Sequence, residues 1–157
     1  MRSAEKLLGD GRVLVIREMQ QEDVPLVAAL EEQTFSQPWS EHGFRQEVSR
    51  KDRLFVVACL DGELAGYMGM LALAGEGDIT NVAVAPRYRR RGIACQMLET
   101  ALEWGKEMGL SEFTLEVRIG NQAAISLYES LGFLGEGVRR GFYDKPVEDG
   151  LIMWRRQ

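Results

Sequence analysis

One stretch constrains this chain more than any other: Asn81-Val-Ala-Val-Ala-Pro-Arg-Tyr-Arg-Arg-Arg-Gly-Ile-Ala94. An apolar strand stops at Pro86, crosses a turn crowded with Arg87, Arg89, Arg90 and Arg91, and enters a helix at Gly92 with no bulky side chain at its start. A helix start leaves backbone N–H groups without partners and carries the positive end of the dipole, so this order suits an anion such as a diphosphate. Gly92 and Ala94 keep the approach to the backbone open. Three plainer uses of the same residues stand beside that one: a solvated basic turn, a nucleic-acid patch, or a phosphate loop of another type. No G-x-x-x-x-G-K-[ST] and no G-x-G-x-x-G occurs, which argues against a P-loop and leaves the chain without a dinucleotide fingerprint.

The rest of the chain sets that tract in relief. Its net charge is −5, against general nucleic-acid affinity and in favour of a basic protein or peptide partner, so the arginines serve a local purpose. The 157 residues fit one domain, able to bury about two-thirds of the unfolded surface. Cys59 and Cys95 fall on different elements without metal-type spacing, and His42 is the lone histidine, so neither a metal centre nor a Ser/His triad is expected. There is no apolar run of membrane-spanning length and no signal-peptide core at the start, so the expected location is the cytoplasm, without a membrane partner.

Residues 1 to 11 show little periodicity and are expected to be a frayed, flexible extension, with one domain over 12–157. Val13 to Arg17 reads as a strand, and Glu22 to Thr34 as a helix with Pro25 in its first turn. Phe35-Ser-Gln-Pro-Trp-Ser40 is a loop whose Ser40 caps a second short helix carrying Phe44 and Val48. Arg53–Leu60 and Glu63–Leu73 form a hairpin about Asp61-Gly62, Gly75 and Gly77 make the next turn, and Asp78 to Val84 completes a meander. The helix from Gly92 to Met108 turns Ile93, Met97, Leu98, Ala101 and Leu102 to one face and closes at Gly109. In Glu112–Arg118, Phe113, Leu115 and Val117 face one side, and Thr114, Glu116 and Arg118 the other. Strand, helix, strand makes a right-handed crossover and a parallel pair. Asn121 caps a helix running to Leu131, and Phe133–Val138 and Leu151–Trp154 are the last strands, joined across Arg139 to Pro146.

Arg89, Gly92 and Ala94 stand in the order R-x-x-G-x-A, and here the chain resembles the GCN5-related N-acetyltransferases, whose pyrophosphate signature is Q/R-x-x-G-x-G/A. The resemblance extends through Leu115-Glu-Val-Arg118, the run Asn121-Gln-Ala-Ala-Ile-Ser-Leu-Tyr-Glu-Ser-Leu-Gly-Phe133, Gln37-Pro-Trp-Ser40 and Glu148-Asp-Gly-Leu-Ile-Met153. Together these segments are similar to those of bacterial enzymes that acetylate the N-terminal alanine of a ribosomal protein, and the L-E-V-R and P-W-S pieces resemble more particularly enzymes that acetylate protein N-termini. The resemblance implies an α/β (α+β mixed) fold. Its central, mostly antiparallel sheet has six to seven strands with a splayed parallel pair, flanked by four helices. It also implies acetyl-CoA as co-substrate, a protein N-terminus as partner, and a monomer or weak dimer. The cofactor would lie along Val82, Ala83 and Val84, on Arg89, Arg90, Arg91, Gly92, Ile93, Ala94 and Cys95, and against Asn121 and Tyr128.

An α-ammonium must lose a proton before its nitrogen attacks a thioester; Glu116, on the polar face of its strand, could take it directly or through water. Tyr128 resembles the family's general acid, and a backbone N–H near Val82 or Ala83 could meet the oxyanion. In relatives two loops close over the peptide, which implies Trp39 and the segment Arg139 to Pro146, with Tyr143 bonding the peptide backbone. Phe142 departs from the common second tyrosine. The plainer readings are a surface carboxylate at Glu116 paired with Arg118, a Tyr128 hydroxyl at the helix surface, and a Trp39 packed under its loop. Rival functions are acetylation of a small amine or of lysine, and a non-catalytic acetyl-CoA-binding module.

Overall fold

The computed structural model describes residues 1–156. Its strands are β1 (Ser3–Leu7), β2 (Val13–Glu18), β3 (Arg53–Leu60), β4 (Glu63–Leu73), β5 (Glu76–Val84), β6 (Glu112–Arg118), β7 (Leu134–Tyr143) and β8 (Glu148–Arg155). Its α-helices are α1 (Val24–Thr34), α2 (Glu41–Val48), α3 (Ile93–Glu107) and α4 (Gln122–Ser130). The strands make one sheet in the order β1-β2-β3-β4-β5-β6-β8-β7, with β5 and β6 parallel and the other described neighbours antiparallel.

Local chemistry acts where it was expected to. Asp61 and Gly62 both take positive φ, 52° and 80°, as a two-residue hairpin turn requires. Ser40 Oγ accepts from Gly43 N at 3.0 Å and Asn121 Oδ1 from Ala124 N at 3.2 Å, each satisfying an otherwise orphaned donor at a helix start.

Three expectations are corrected. Residues 3–7 are not frayed but pair with β2 from Ser3↔Arg17 to Leu7↔Val13, and Leu8 enters the core. A backbone ladder holds this strand, and five residues that are at most half-buried carry no periodicity to announce it; it is the eighth strand. The turn before β5 is Ala74-Gly75, while Gly77 lies inside β5, where a Cβ would come within 2.8 Å of Phe113 Cδ1. The segment after Arg139 stays in β7 through Tyr143, with a register shift between Arg139 and Tyr143, leaving a turn of only 144–147.

Two apolar clusters occupy the two faces. α3 covers Leu54, Met68, Met70, Phe113 and Leu115, while α1 and α2 cover Phe55, Val57, Tyr67 and Ala83. One irregularity positions the site. Gly69 faces Asn81 but Met70 faces Ile79, so Thr80 is an extra residue in β5. Such a bulge bends the strand and resets its alternation. Ile79 packs on the α3 face, and beyond Thr80 it is Val82 and Val84 that do so, while Ala83 joins the opposite cluster. At the same place β5 stops pairing with β6, whose shared register runs only from Glu76↔Glu112 to Ile79↔Leu115.

Candidate active site

Beyond the bulge, β5 has one bonded edge. Ala85 N donates to Ala65 O at 2.7 Å, so antiparallel alternation gives Ala83–Tyr67 and Asn81–Gly69 the reciprocal bonds. The polar groups of Val82 and Val84 therefore turn toward the side β6 has left, and Ala83 turns away. Of the two amides considered for an oxyanion, Val82 is the one on the open side. Arg89 Nε takes up the Val84 carbonyl at 3.1 Å.

At the start of α3, Gly92 is the N-cap with φ 78°, a left-handed conformation that an L side chain adopts only under strain, and no side chain caps the helix. A Cβ there would meet nothing within 4 Å, so the space over the N-terminus is open. Ile93 is buried, and Ala94 and Cys95 are half-buried. The arginines are not equivalent. Arg87 pairs with Glu63 and lies 4.8 Å from the Tyr88 ring centre, and Arg91 is 3.5 Å from Asp10. Among the described residues Arg90 makes no ion pair.

Glu116 lies on the sheet face opposite α3, as its alternation required. Its partner is not Arg118 but Arg139, whose Nε is 3.3 Å from Oε1; Oε2 is buried without a hydrogen bond. Arg118 pairs with Glu148 at 3.2 Å and donates to the carbonyls of Pro146 and Asp144, clamping the β7–β8 turn. Burial pushes the Glu116 carboxyl above the usual range; Arg139 opposes this and Asp78 adds to it. Tyr143, the last residue of β7, is pushed up to about 12 by burial, with Glu116 raising it further and Arg118 opposing.

Tyr128 is buried on α4 beside Phe133, ring centres 6.0 Å apart, so the surface-hydroxyl reading does not describe its ring. Burial, then Tyr143, pushes its phenol up to about 12. Trp39 packs on Phe44 and Phe55 at 5.3 and 6.0 Å, and no hydrogen bond or ring contact joins it to Glu116, Tyr128 or Tyr143 among the described residues. Phe142 is 47% exposed and stands edge-on to Tyr143.

Sequence reading missed two groups. Arg139 meets Glu116 only through the order β6-β8-β7. Glu31, 2% exposed, accepts from Tyr67 Oη, from Asn81 Nδ2 at 3.2 Å and from Trp39 N at 2.9 Å, tying the α1–α2 loop to the bulged strand. A charged residue one position after Leu30, itself on the buried face of α1, was the available signal.

The sheet with one parted parallel pair and an uncapped, glycine-led helix beside it is the architecture of an acyl-CoA-dependent transferase. The sequence matches the Acetyltransferase (GNAT) family over residues 18–133, and the chain belongs to that family. It is an acetyl-CoA-dependent N-acetyltransferase. It is 33% identical over 135 residues to the [ribosomal protein bS18]-alanine N-acetyltransferase of Escherichia coli (strain K12), covering 86% of this chain and 89% of that one. The crystal structure of the ribosomal-protein-S18-alanine N-acetyltransferase from Escherichia coli superimposes with a TM-score of 0.84 at 30% identity, covering 92% of this chain and 95% of the other. An N-alpha-acetyltransferase of Saccharolobus solfataricus is 29% identical over 168 residues, covering 99% of each chain. No helix among the described residues is long and apolar enough to cross a membrane.

Proposed function

We propose that the chain transfers acetyl from acetyl-CoA to the α-amino group of a protein whose first residue is alanine or similarly small. A small-subunit ribosomal protein is the acceptor class, and such a substrate places the reaction in the cytoplasm. The observation that carries this reading is the pairing of a buried, unpartnered carboxylate oxygen at Glu116 with the end of β5–β6 pairing one residue earlier on β6. The name of the Escherichia coli relative supports an N-terminal alanine of a ribosomal protein as acceptor, and that of the Saccharolobus solfataricus relative supports an α-amine.

Acetyl-CoA is the donor substrate. Its diphosphate fits the uncapped start of α3, held by Arg89, Arg90, Arg91 and the backbone from Gly92 through Ile93 and Ala94 to Cys95. Its arm fits along Val82 to Val84, with Asn121 and Tyr128 beside it. In a ternary complex the α-ammonium gives a proton to Glu116, directly or through water, and its nitrogen attacks the thioester carbonyl. The Val82 amide receives the oxyanion. As the carbon–sulfur bond breaks, the thiolate takes a proton from Tyr128, which is protonated at neutral pH, and the second proton of the attacking nitrogen passes through water to the tyrosinate, leaving a neutral amide. Tyr143 bonds the peptide backbone, and Trp39 supports the loop that covers it.

Acceptor chemistry favours the α-amine. With reference pKa values near 8 and 10.4, an α-amine has roughly a few hundred times the neutral fraction of a lysine side chain at pH 7.5. The chain's net charge of −5 favours cationic acceptors.

The test is a panel of peptides differing at the first residue, with free polyamines, incubated with acetyl-CoA and the position of mass gain recorded. An alanine-first peptide with a basic second residue should be acetylated fastest, at its α-amine. Acetyl on lysine, or polyamines acetylated as fast, would overturn the reading.

A further inference from the structure

We propose that Arg139 is a positioning residue that holds Glu116 by one carboxylate oxygen and leaves the other facing the acceptor amine. The inference rests on the reading of Glu116 as the proton acceptor and adds the residue that aims it.

The contact crosses an intervening strand. On one sheet face β6, β8 and β7 align Arg118, Gly150 and Arg139 in one row, and Glu116, Ile152 and Gly137 in the next. Gly150 presents no side chain, and Phe142 and Tyr143 stand over it, 3.3 and 3.4 Å from where a Cβ would be, so the Arg139 side chain reaches Glu116 beside these rings. Its Nε stops 3.3 Å from Oε1, and the Phe142 ring centre lies 5.5 Å from the guanidinium carbon, a second contact on its path.

A casual surface pair would leave both partners wet. Here the Glu116 side chain is 22% exposed against 59% for Arg139, and the oxygen that Arg139 does not face is buried with no donor. Leaving a carboxylate oxygen desolvated and unpaired is costly, and such atoms persist where a ligand supplies the missing donor. The other charged and titratable groups around Glu116 cannot take the place of Arg139. Asp78 on β5 is a second carboxyl group and acts in the opposite sense, Tyr143 on β7 is a neutral phenol, and Arg118 on β6 is spent on Glu148 and the β7–β8 turn.

Two measurements test this on the full chain. Carboxyl NMR follows the titration of Glu116 without substrate, assigned by its loss in Glu116→Gln. In Arg139→Gln that titration should move up by about one pH unit, because the cation that favours the charged carboxylate is gone. Arg139→Lys, which keeps the charge, should recover most of the displacement. In parallel, the acidic limb of kcat/KM with an alanine-first peptide should move the same way. At neutral pH kcat should fall on the order of tenfold, with the acetyl-CoA KM unchanged. Thermal denaturation confirms that each variant is folded, and Arg139→Met, also without the charge, replaces Arg139→Gln if that one is not. A Glu116 titration that stays in place in a folded Arg139 variant lacking the charge, or shifts fully in Arg139→Lys, overturns the proposal. Absence of N-terminal acetylation by the wild-type chain overturns the proposed function instead, and the NMR titration still decides the role of Arg139.

Discussion

The Arg118 guanidinium lies 4.7 Å from the Tyr143 ring centre while both of its terminal nitrogens bond backbone carbonyls of the β7–β8 turn. The cation nearest to Glu116 in sequence therefore holds the β7–β8 turn and does not pair with the carboxylate.

From this clamp, Arg118→Ala should lower stability by about 1–3 kcal/mol, since two carbonyls and the Glu148 carboxylate lose their donors. It should also raise the peptide KM through Tyr143. Arg118→Lys should recover little, because an ammonium cannot reproduce the fork. Urea unfolding and peptide kinetics on both variants check this.

Glu116→Gln should lower kcat roughly 10²–10⁴-fold while leaving acetyl-CoA affinity near wild type. The loss should shrink as pH rises through the α-amine's own range, where the acceptor is already neutral. A small, pH-independent change would return Glu116 to the status of a half-buried strand carboxylate.

Tyr128→Phe should reduce kcat without weakening acetyl-CoA binding. Burial raises its pKa to about 12, so the phenol is protonated through the neutral and mildly alkaline range. Wild-type kcat should accordingly show no descending basic limb attributable to Tyr128 up to about pH 10. A limb near pH 8–9 that vanishes in Tyr128→Phe would contradict the environment described.

At Gly92 the cost is conformational. A side chain would find open space in the free protein, but φ 78° penalises any L residue by about 1–2 kcal/mol. Gly92→Val should weaken acetyl-CoA binding severely by straining and then covering the helix start, and Gly92→Asn, which tolerates this region better, should weaken it less. Single arginine variants should have modest effects, near the 0–1 kcal/mol typical of exposed pairs, roughly equal for Arg89 and Arg90. Calorimetry on the variants separates these cases.

Glu31→Gln should cost about 1–3 kcal/mol of stability, because an amide cannot accept from Tyr67, Asn81 and the Trp39 amide together and brings a donor toward one of them. The loop carrying Trp39 should become more accessible to proteolysis. Unchanged protection would mean that the ring packing on Phe44 and Phe55 holds that loop alone.

Features set by neighbours in the chain were legible from residues alone. Ser40 and Asn121 cap because a side-chain oxygen lies three residues from an orphaned N–H, Asp61-Gly62 turns because both positions accept positive φ, and Phe113, Leu115 and Val117 share a face because strand period is two. The strand, basic turn and glycine-led helix of 81–94 belong to the same class, since each follows from neighbouring residues. Tertiary structure decided what depends on register. Thr80 becomes a bulge only because Gly69 and Met70 face Asn81 and Ile79, and that slip parts β5 from β6 and selects Val82 over Ala83 for the open edge. Strand order likewise chose Arg139 over Arg118 as the partner of Glu116, and joined Glu31 to Tyr67 and Asn81 across the core. Local periodicity says which face a side chain takes; only the pairing of distant strands says which charge waits for it there.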